Sequence, residues 1–339
     1  VIFLVTVIIT FISMKFEQIM PSATTMADAT LPTVAMDTEA GTQYNALHGY
    51  TSELDSTLFY GNITPVAKDR KLTVTINTYG EDIEGVAYKI RSLEDKSLIE
   101  NTEVSDYDNA GSSINVTFNI KNLLDTGKEY ALEIVLKTKK HEAVYYYTRI
   151  VYGVDYDLQK KLDFVMDFNA CTFDDSRLKD IAGYLETSSS GDNTNYGKVN
   201  INCSLSQVGW GDLDPYVESD IMPEVISVDD DVAILRLSYR VGAANDYSSS
   251  DTYTVSEYYR IRQTNSGFYL LNFEREMNQV FDARNDLTST AKINLGINSS
   301  TDVNCASDEK GIYTYFVNQG SLWCFNSSSQ AFTRVFSFK

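Results

Sequence analysis

Between residues 64 and 153, apolar side chains fall on every second position in stretch after stretch. Leu72, Val74 and Ile76 alternate with Thr73 and Thr75, and the same period returns at Val86/Tyr88/Ile90, Ile114/Val116/Phe118/Ile120, Tyr130/Leu132/Ile134/Leu136 and Val144/Tyr146/Thr148/Ile150. Residues two apart share one face of a strand, whereas a helix aligns residues three and four apart. Turn sequences at Tyr79-Gly80, Asp108-Asn109-Ala110-Gly111 and Asp125-Thr126-Gly127 separate the runs. Half-buried strands in such a succession bury their apolar face by closing as two packed sheets. The chain has 23 Tyr and 16 Phe to fill β-rich cores, and its 339 residues exceed the usual size of one domain.

One corner of this region carries more than a pattern. The stretch "NLLDTGKEYALEIVL" resembles fibronectin type III and related immunoglobulin-like domains, with Leu124, Gly127 and Tyr130 at the places of the corner Leu, turn Gly and strand-opening Tyr. The resemblance implies an immunoglobulin-like β-sandwich over residues 64–153.

After Asp155 the period changes. Leu158, Leu162, Val165 and Met166 fall at helical spacing, and Leu178, Ile181, Ala182 and Leu185 predict a second helix, with Thr172 and Asp175 spaced as its capping box. Strands are expected at Val199–Leu205, Asp231–Val241, Tyr253–Arg262 and Phe268–Glu276, which makes an α+β unit. The stretches "KKLDFVMDFNACTFDDSRLKDIAGYL", "DDVAILRLSYRV" and "TVSEYYRIRQTNSGFYLLNFERE" resemble the nuclear transport factor 2-like (SnoaL-like) family, notably in the Asn265-Ser266-Gly267 turn before Phe268 and Tyr269. That resemblance implies a cone over residues 154–280, a helix pair packed on a curved antiparallel sheet. Beyond it, "GIYTYFVNQGSLWCFNSSSQAFTRVFSF" reads as strand, tight turn at Gln319-Gly320, strand, polar turn, strand. It resembles one blade of a β-propeller, so residues 281–339 are expected to be the first blade of a truncated propeller, blades being stable only against other blades. A small meander docked on the preceding domain is the alternative.

The N-terminus bears on location. Val1 to Met14 is apolar apart from Thr6, Thr10 and Ser13, and carries no charge. A bilayer-spanning helix needs roughly 20 such residues, so an N-terminally truncated transmembrane anchor is expected at 1–14. A signal-peptide core or a buried helix are the alternatives; the first A-x-A-like match, Ala27-Asp28-Ala29, comes late. No Lys or Arg lies between Phe16 and Ala67, while Glu17, Asp28, Asp37, Glu39, Glu53 and Asp55 are acidic. Basic residues favour the cytoplasmic side, so the bulk of the chain is expected outside the cytoplasm. Residues 15–63, rich in Thr, Ala, Asp and Ser, read as a stalk.

The net charge of −19 argues against nucleic acid as a partner, since phosphates require clustered Lys and Arg. Cys171, Cys203, Cys305 and Cys324 lie too far apart in sequence for a zinc site. They allow two disulfides, Cys171–Cys203 and Cys305–Cys324, or four buried free thiols. His48 and His141 sit apart from any nucleophile, so no catalytic triad is expected. Asp106 to Gly111 begins like a calcium loop, but Ala110 and Thr117 take ligand positions, so it reads as a turn. Asp212, Asp214, Glu218 and Asp220 near Trp210 read as a solvated loop, with cation binding as the alternative. No cofactor or metal is expected. The sequons at Asn62, Asn115, Asn202, Asn298 and Asn326 decide nothing.

Glu257 stands out. Tyr253, Val255, Tyr259 and Ile261 share its face, and the neighbouring strand offers Ala233, Leu235, Leu237, Tyr239 and Val241. If these stripes line the cone, Glu257 projects inward, where a carboxylate is expensive unless partnered. A bulge turning it to solvent, or pairing with Arg236 or Arg260, would relieve that cost. Glu257, Tyr239, Tyr259 and Trp210 are the candidate ligand-pocket residues, the aromatic ones readable equally as core. The resulting expectation is a membrane-anchored, extracytoplasmic protein that binds a protein, polymer or small ligand. Its alternatives are a structural spacer presenting the propeller, or an enzyme using Glu257 as acid or base.

Overall fold

The alternating segments form the strands they predict. In the computed structural model, β5 (Lys71–Asn77), β6 (Ile83–Ser92), β8 (Ser113–Asn119), β9 (Glu129–Thr138) and β10 (Val144–Tyr152) bury Val74, Ile76, Tyr88, Ile90, Val116, Phe118, Leu132, Ile134 and Tyr146. The structure describes residues 23–24, 31–107, 111–153, 156–243, 251–282, 288–289, 292–293, 295, 304–318 and 320–337. The chain divides into two compact units, 30–278 and 1–29 with 279–339. The expected anchor at 1–14 lies outside the described residues; among the described residues no helix is long and apolar enough to cross a membrane.

In the larger unit, β2 (Thr33–Asp37), β3 (Gln43–His48), β5 and β8 make a sheet of order β3-β2-β5-β8. A second sheet has the order β4-β10-β9-β6-β7, with β4 (Ile63–Val66) parallel to β10 and β7 (Leu98–Val104) at the far edge. The sheets meet through stacked rings of Tyr88 and Phe118, 4.8 Å apart. At the corner, Asp125 N–H donates to the Tyr130 hydroxyl at 2.8 Å, Leu124 is buried, and Gly127 takes φ +74, a backbone region that suits Gly. The stalk expectation for 15–63 is overturned from residue 33 onward, because β2, β3 and β4 are integral strands with Val34, Met36, Tyr44, Ile63 and Val66 in the core. The sandwich therefore begins near residue 33, not 64.

Residues 156–278 contribute α1 (Leu158–Thr172), the short α2 (Leu205–Val208) and a sheet of order β11-β16-β15-β14-β12. Its strands are β11 (Lys198–Asn200), β12 (Tyr216–Val217), β14 (Val232–Ala243), β15 (Asp251–Thr264) and β16 (Gly267–Gln279), with β13 (Met222–Val228) also paired to β14. The predicted second helix is a 3-10 segment, Leu178–Tyr184. Thr172 is no cap: it lies in the last turn of α1, its hydroxyl donating to the Asn169 carbonyl, and Asp174 takes the turn by accepting from Ser176 N–H. The strand expected at Val199–Leu205 stops at Asn200, and β13, carrying Pro223 and a bulge between Val225 and Ser227, was not anticipated.

The sandwich and the α+β part share one hydrophobic cluster. Asn45 joins them. It is fully buried on a bulge of β3 at φ 51, its Oδ1 accepts Val225 N–H at 2.7 Å, and its Nδ2 donates to the Ile63 carbonyl at 2.9 Å. The boundary expected between residues 153 and 154 thus divides no separate cores, whereas the one at 280 falls beside the division between units.

The smaller unit is an antiparallel meander, β19 (Cys305–Ser307), β20 (Tyr313–Asn318), β21 (Ser321–Asn326) and β22 (Ala331–Ser337). Its edge is completed by β1 (Ala23–Thr24), running parallel to β22. Phe281, Phe316, Trp323, Phe325 and Phe332 form its core. A two-stranded ribbon, β17 (Thr288–Ser289) with β18 (Lys292–Ile293), belongs to the same unit. Among the described residues no ring of blades closes. All four cysteines are free, but only Cys171 and Cys203 are buried: Cys305 is exposed on an edge strand and Cys324 half-buried, against the expectation of four buried thiols. Cys305 and Cys324 cannot pair, because β20 lies between their strands and places them two strand spacings, about 9.6 Å, apart.

Candidate functional site

Glu257 lies in the middle of β15, opposite Leu237 of β14, with Val255, Tyr259 and Ile261 buried on the same face. The strand pleat therefore turns the carboxylate into the interior, and no bulge redirects it. Its side chain is wholly inaccessible. Tyr239 donates its hydroxyl to Oε1 at 3.0 Å, and Tyr259 donates to Oε2 at 2.6 Å. Asn169, carried in by α1, donates Nδ2 to Oε2 at 2.8 Å and to the Tyr239 hydroxyl at 3.2 Å.

The counter-charge is Arg275 on β16, also fully buried, with Nη1 3.9 Å from Glu257 Oε1. It is neither of the expected partners: Arg236 pairs with Glu224 at 3.3 Å, and Arg260 is exposed. Arg236 and Arg260 occupy the even positions of their strands, whose side chains face away from Glu257. Arg275 follows the buried face Phe273, Arg275, Met277. A charged residue at the centre of that alternation was the signal in the sequence, and it matches Glu257.

Arg275 is held from behind. Nη1 donates to the Val208 carbonyl at 2.8 Å and Nη2 to the Gln207 carbonyl at 3.0 Å, two carbonyls at the end of α2 that have no partner within the helix. The guanidinium lies 3.4 Å from the centre of the Trp210 ring, a cation–π contact. Trp210, buried at φ 67, packs also on Phe173. The structure thus gathers all four candidate residues, Glu257, Tyr239, Tyr259 and Trp210, around one Arg that the sequence reading passed over.

Burial drives the electrostatics. It pushes the Tyr239 and Tyr259 hydroxyls well above their ordinary range, and the adjacent carboxylate of Glu257 adds to the shift. Burial also lowers Arg275, opposed chiefly by Glu257. Both tyrosines consequently serve as neutral donors. An ion pair removed from water survives when hydrogen bonds satisfy most of its remaining atoms; here Tyr239, Tyr259 and Asn169 serve the carboxylate and two carbonyls serve the Arg275 Nη atoms, while its buried Nε has no hydrogen-bond partner. A general acid or base must come within hydrogen-bond reach of its substrate; the Glu257 carboxylate is instead enclosed by side chains of the same chain.

A second polar feature opens at the surface. A cleft of about 490 Å³ lies where the β2–β3 turn, the β4–β5 turn and the start of α1 meet, lined among others by Asp37, Glu39, Asp69, Lys71 and Gln159. Gln159 bolts the seam: it accepts from Thr38 Oγ1 at 2.5 Å and donates to Thr42 Oγ1 at 2.9 Å. Burial raises the Asp37 carboxyl, against hydrogen bonds from Thr75 and Gln43 that lower it. The sequence reading could not find this cleft, having assigned residues 37–44 to a stalk. In the acidic loop near Trp210, Asp212 accepts from the Tyr196 hydroxyl at 3.1 Å. Among the described residues no group of three or more His, Cys, Asp or Glu converges as a metal site. The calcium-like stretch falls partly outside the described residues, at 108–110.

No family model matches this chain. No curated protein is similar to it either. Among solved structures, Spo0M, the sporulation control protein from Bacillus subtilis, aligns with 64% of this chain and 86% of its own, at 8% identity and a TM-score of 0.20. A score of 0.20 does not equate the two folds.

Proposed function

We propose that this chain is a membrane-anchored, extracytoplasmic binding protein, with its anchor at residues 1–14 and its contacts made on exposed surfaces of a rigid body spanning residues 30–278. The observation that carries the reading is the enclosure of Glu257. Its carboxylate, aimed into the cone, is engaged by Tyr239, Tyr259 and Asn169 and balanced by Arg275. Recognition then falls to concave surface such as the cleft beside Asp37 and Gln159.

Three features support the family resemblances that go with this reading. The orders β2-β5-β8 and β7-β6-β9-β10, with the Tyr130 corner, suit a fibronectin type III or immunoglobulin-like sandwich. The packing of α1 on the β14–β16 sheet suits a nuclear transport factor 2-like cone. The four-stranded meander β19–β22 suits a propeller blade.

The spacer reading is favoured by a separate observation, the shared core that fuses sandwich and cone. The two readings part at the cleft. Charge reversal there, Glu39→Arg with Asp69→Arg, changes the cross-linking of the chain to its neighbours in intact membranes if it is a binder, and leaves it unchanged if it is a spacer. Location is tested by adding trypsin to intact cells. Cleavage at the exposed Lys139-Lys140 turn after β9 before lysis, with the uncleaved chain retained in alkali-washed membranes, is expected. Protection until lysis, or release from the membranes, contradicts the proposal.

A further inference from the structure

Each face of the β19–β22 sheet carries an apolar cluster. One face carries Phe316, Trp323, Phe325 and Phe332, packed around Phe281. On the other, Tyr313, Tyr315 and Val317 alternate along β20 with exposures of 43, 41 and 47%. Register extends that face: Val317 pairs with Leu322, Leu322 with Phe336, and Tyr315 with Cys324. Phe336 is 46% exposed. An antiparallel sheet with one wet face alternates apolar and polar side chains; here none of these six residues is charged, and Asn326 beside Tyr313 and Thr333 beside Cys324 are the uncharged polar members of the same face. Contiguous exposed apolar surface of this kind marks a contact.

The topology says with what. β1 is hydrogen-bonded to β22, with Ala23 opposite Phe332 and Thr24 opposite Thr333. Only eight residues, 15–22, separate Ala23 from Met14, the last residue of the apolar segment. Nine Cα–Cα steps reach at most about 30 Å when fully extended. If residues 1–14 span a bilayer, the β1 edge of the sheet is tethered within that distance of the bilayer surface. On that reading the sheet is held close to the membrane.

We infer that the Tyr313/Tyr315/Val317/Phe336 face docks on the interface of the bilayer that holds residues 1–14; the inference rests on the anchor reading above. Tyr rings favour that interface, where the ring meets acyl chains and the hydroxyl meets headgroups. The lipid is zwitterionic: an uncharged face on a chain of net charge −19 has nothing to offer anionic headgroups.

The full chain with Cys305→Ser, reconstituted in phosphatidylcholine vesicles and nitroxide-labelled at Cys324, tests this. Cys171 and Cys203 are buried and escape the label. A control carries the label at the exposed Ser52, as Ser52→Cys with Cys305→Ser and Cys324→Ser. Collision with oxygen is expected to rise, and collision with a nickel chelate to fall, several-fold relative to the control. Adding Tyr315→Ser and Phe336→Ser should reverse both changes. Vesicles that carry the chain but give control-like collision rates overturn the docking and leave the anchor standing. Shielding of Cys324 from both reagents overturns it in favour of a protein covering the face, whether a second copy or another sheet. A chain that fails to float with the vesicles overturns the anchor, and the docking with it.

Discussion

Asn45 and Val225 lie 180 positions apart, yet the side-chain oxygen of one accepts the backbone N–H of the other at 2.7 Å in a site sealed from water. Strand β13 meets β3 through this amide. The bulge at Asn45 and the bulge beside Val225 interrupt their own ladders at the same place, so an Asn side chain satisfies backbone groups the strands leave open.

Replacing Asn45 with Ala should therefore cost about 2–4 kcal/mol, from a buried unsatisfied N–H and from a left-handed backbone that Ala resists. Urea unfolding of both chains measures it. Asn45→Gly should recover the backbone share of the loss and no more. If the core is shared, 30–278 unfolds in a single transition; separate transitions for the two-sheet part and the α+β part would refute the sharing.

Lys161 makes a comparable joint inside the α+β part. Fully buried on α1, its Nζ donates to the carbonyls of Tyr156, Asp229 and Asp230 at 2.6, 2.7 and 3.0 Å, clamping the β13–β14 turn. Lys161→Met keeps the stem and orphans those carbonyls. A loss of about 2–3 kcal/mol is expected, with amide exchange at Val232 accelerated more than at Val74.

Alkaline pH should separate the tyrosines. Tyr239 and Tyr259 are held well above their ordinary range by burial and by Glu257, and burial takes Tyr147 to about 12. For a group raised in the folded state, the stabilising contribution is complete below the unfolded value, near 10, and disappears as pH climbs towards the folded one. Stability is thus expected to fall above about pH 10. Phenolate absorbance should show Tyr239 and Tyr259 ionising only with unfolding, as judged by its loss of two slow groups in Tyr239→Phe/Tyr259→Phe. Free titration of both in the folded chain would mean that the site is open.

The sequence was most legible where one face is buried and the other wet. The alternations at 72–76, 86–90, 114–120, 130–136 and 144–150 became β5, β6, β8, β9 and β10. Period alone also sent Glu257 inward. Legibility failed where that contrast disappears. In β2, Val34, Ala35 and Met36 are buried in succession, and Thr33 and Asp37 at its ends mimic a linker. β13 carries Pro223 and a bulge, both of which hide a strand. Arg275 was passed over because a charged residue in a strand is read as solvated by default, while its place between Phe273 and Met277 put it in the core.

The account turns on Glu257 and Arg275 as one structural unit, and a double-mutant cycle in urea measures that directly. Each of Glu257→Gln and Arg275→Met strands a buried charge and should cost about 3 kcal/mol. The double variant should lose at least 1 kcal/mol less than the sum of the two, the coupling expected of residues in one network. Single losses below about 0.5 kcal/mol, the range of ordinary surface substitutions, with no coupling between them, would contradict the enclosure and return Glu257 to the list of groups free to act on a ligand.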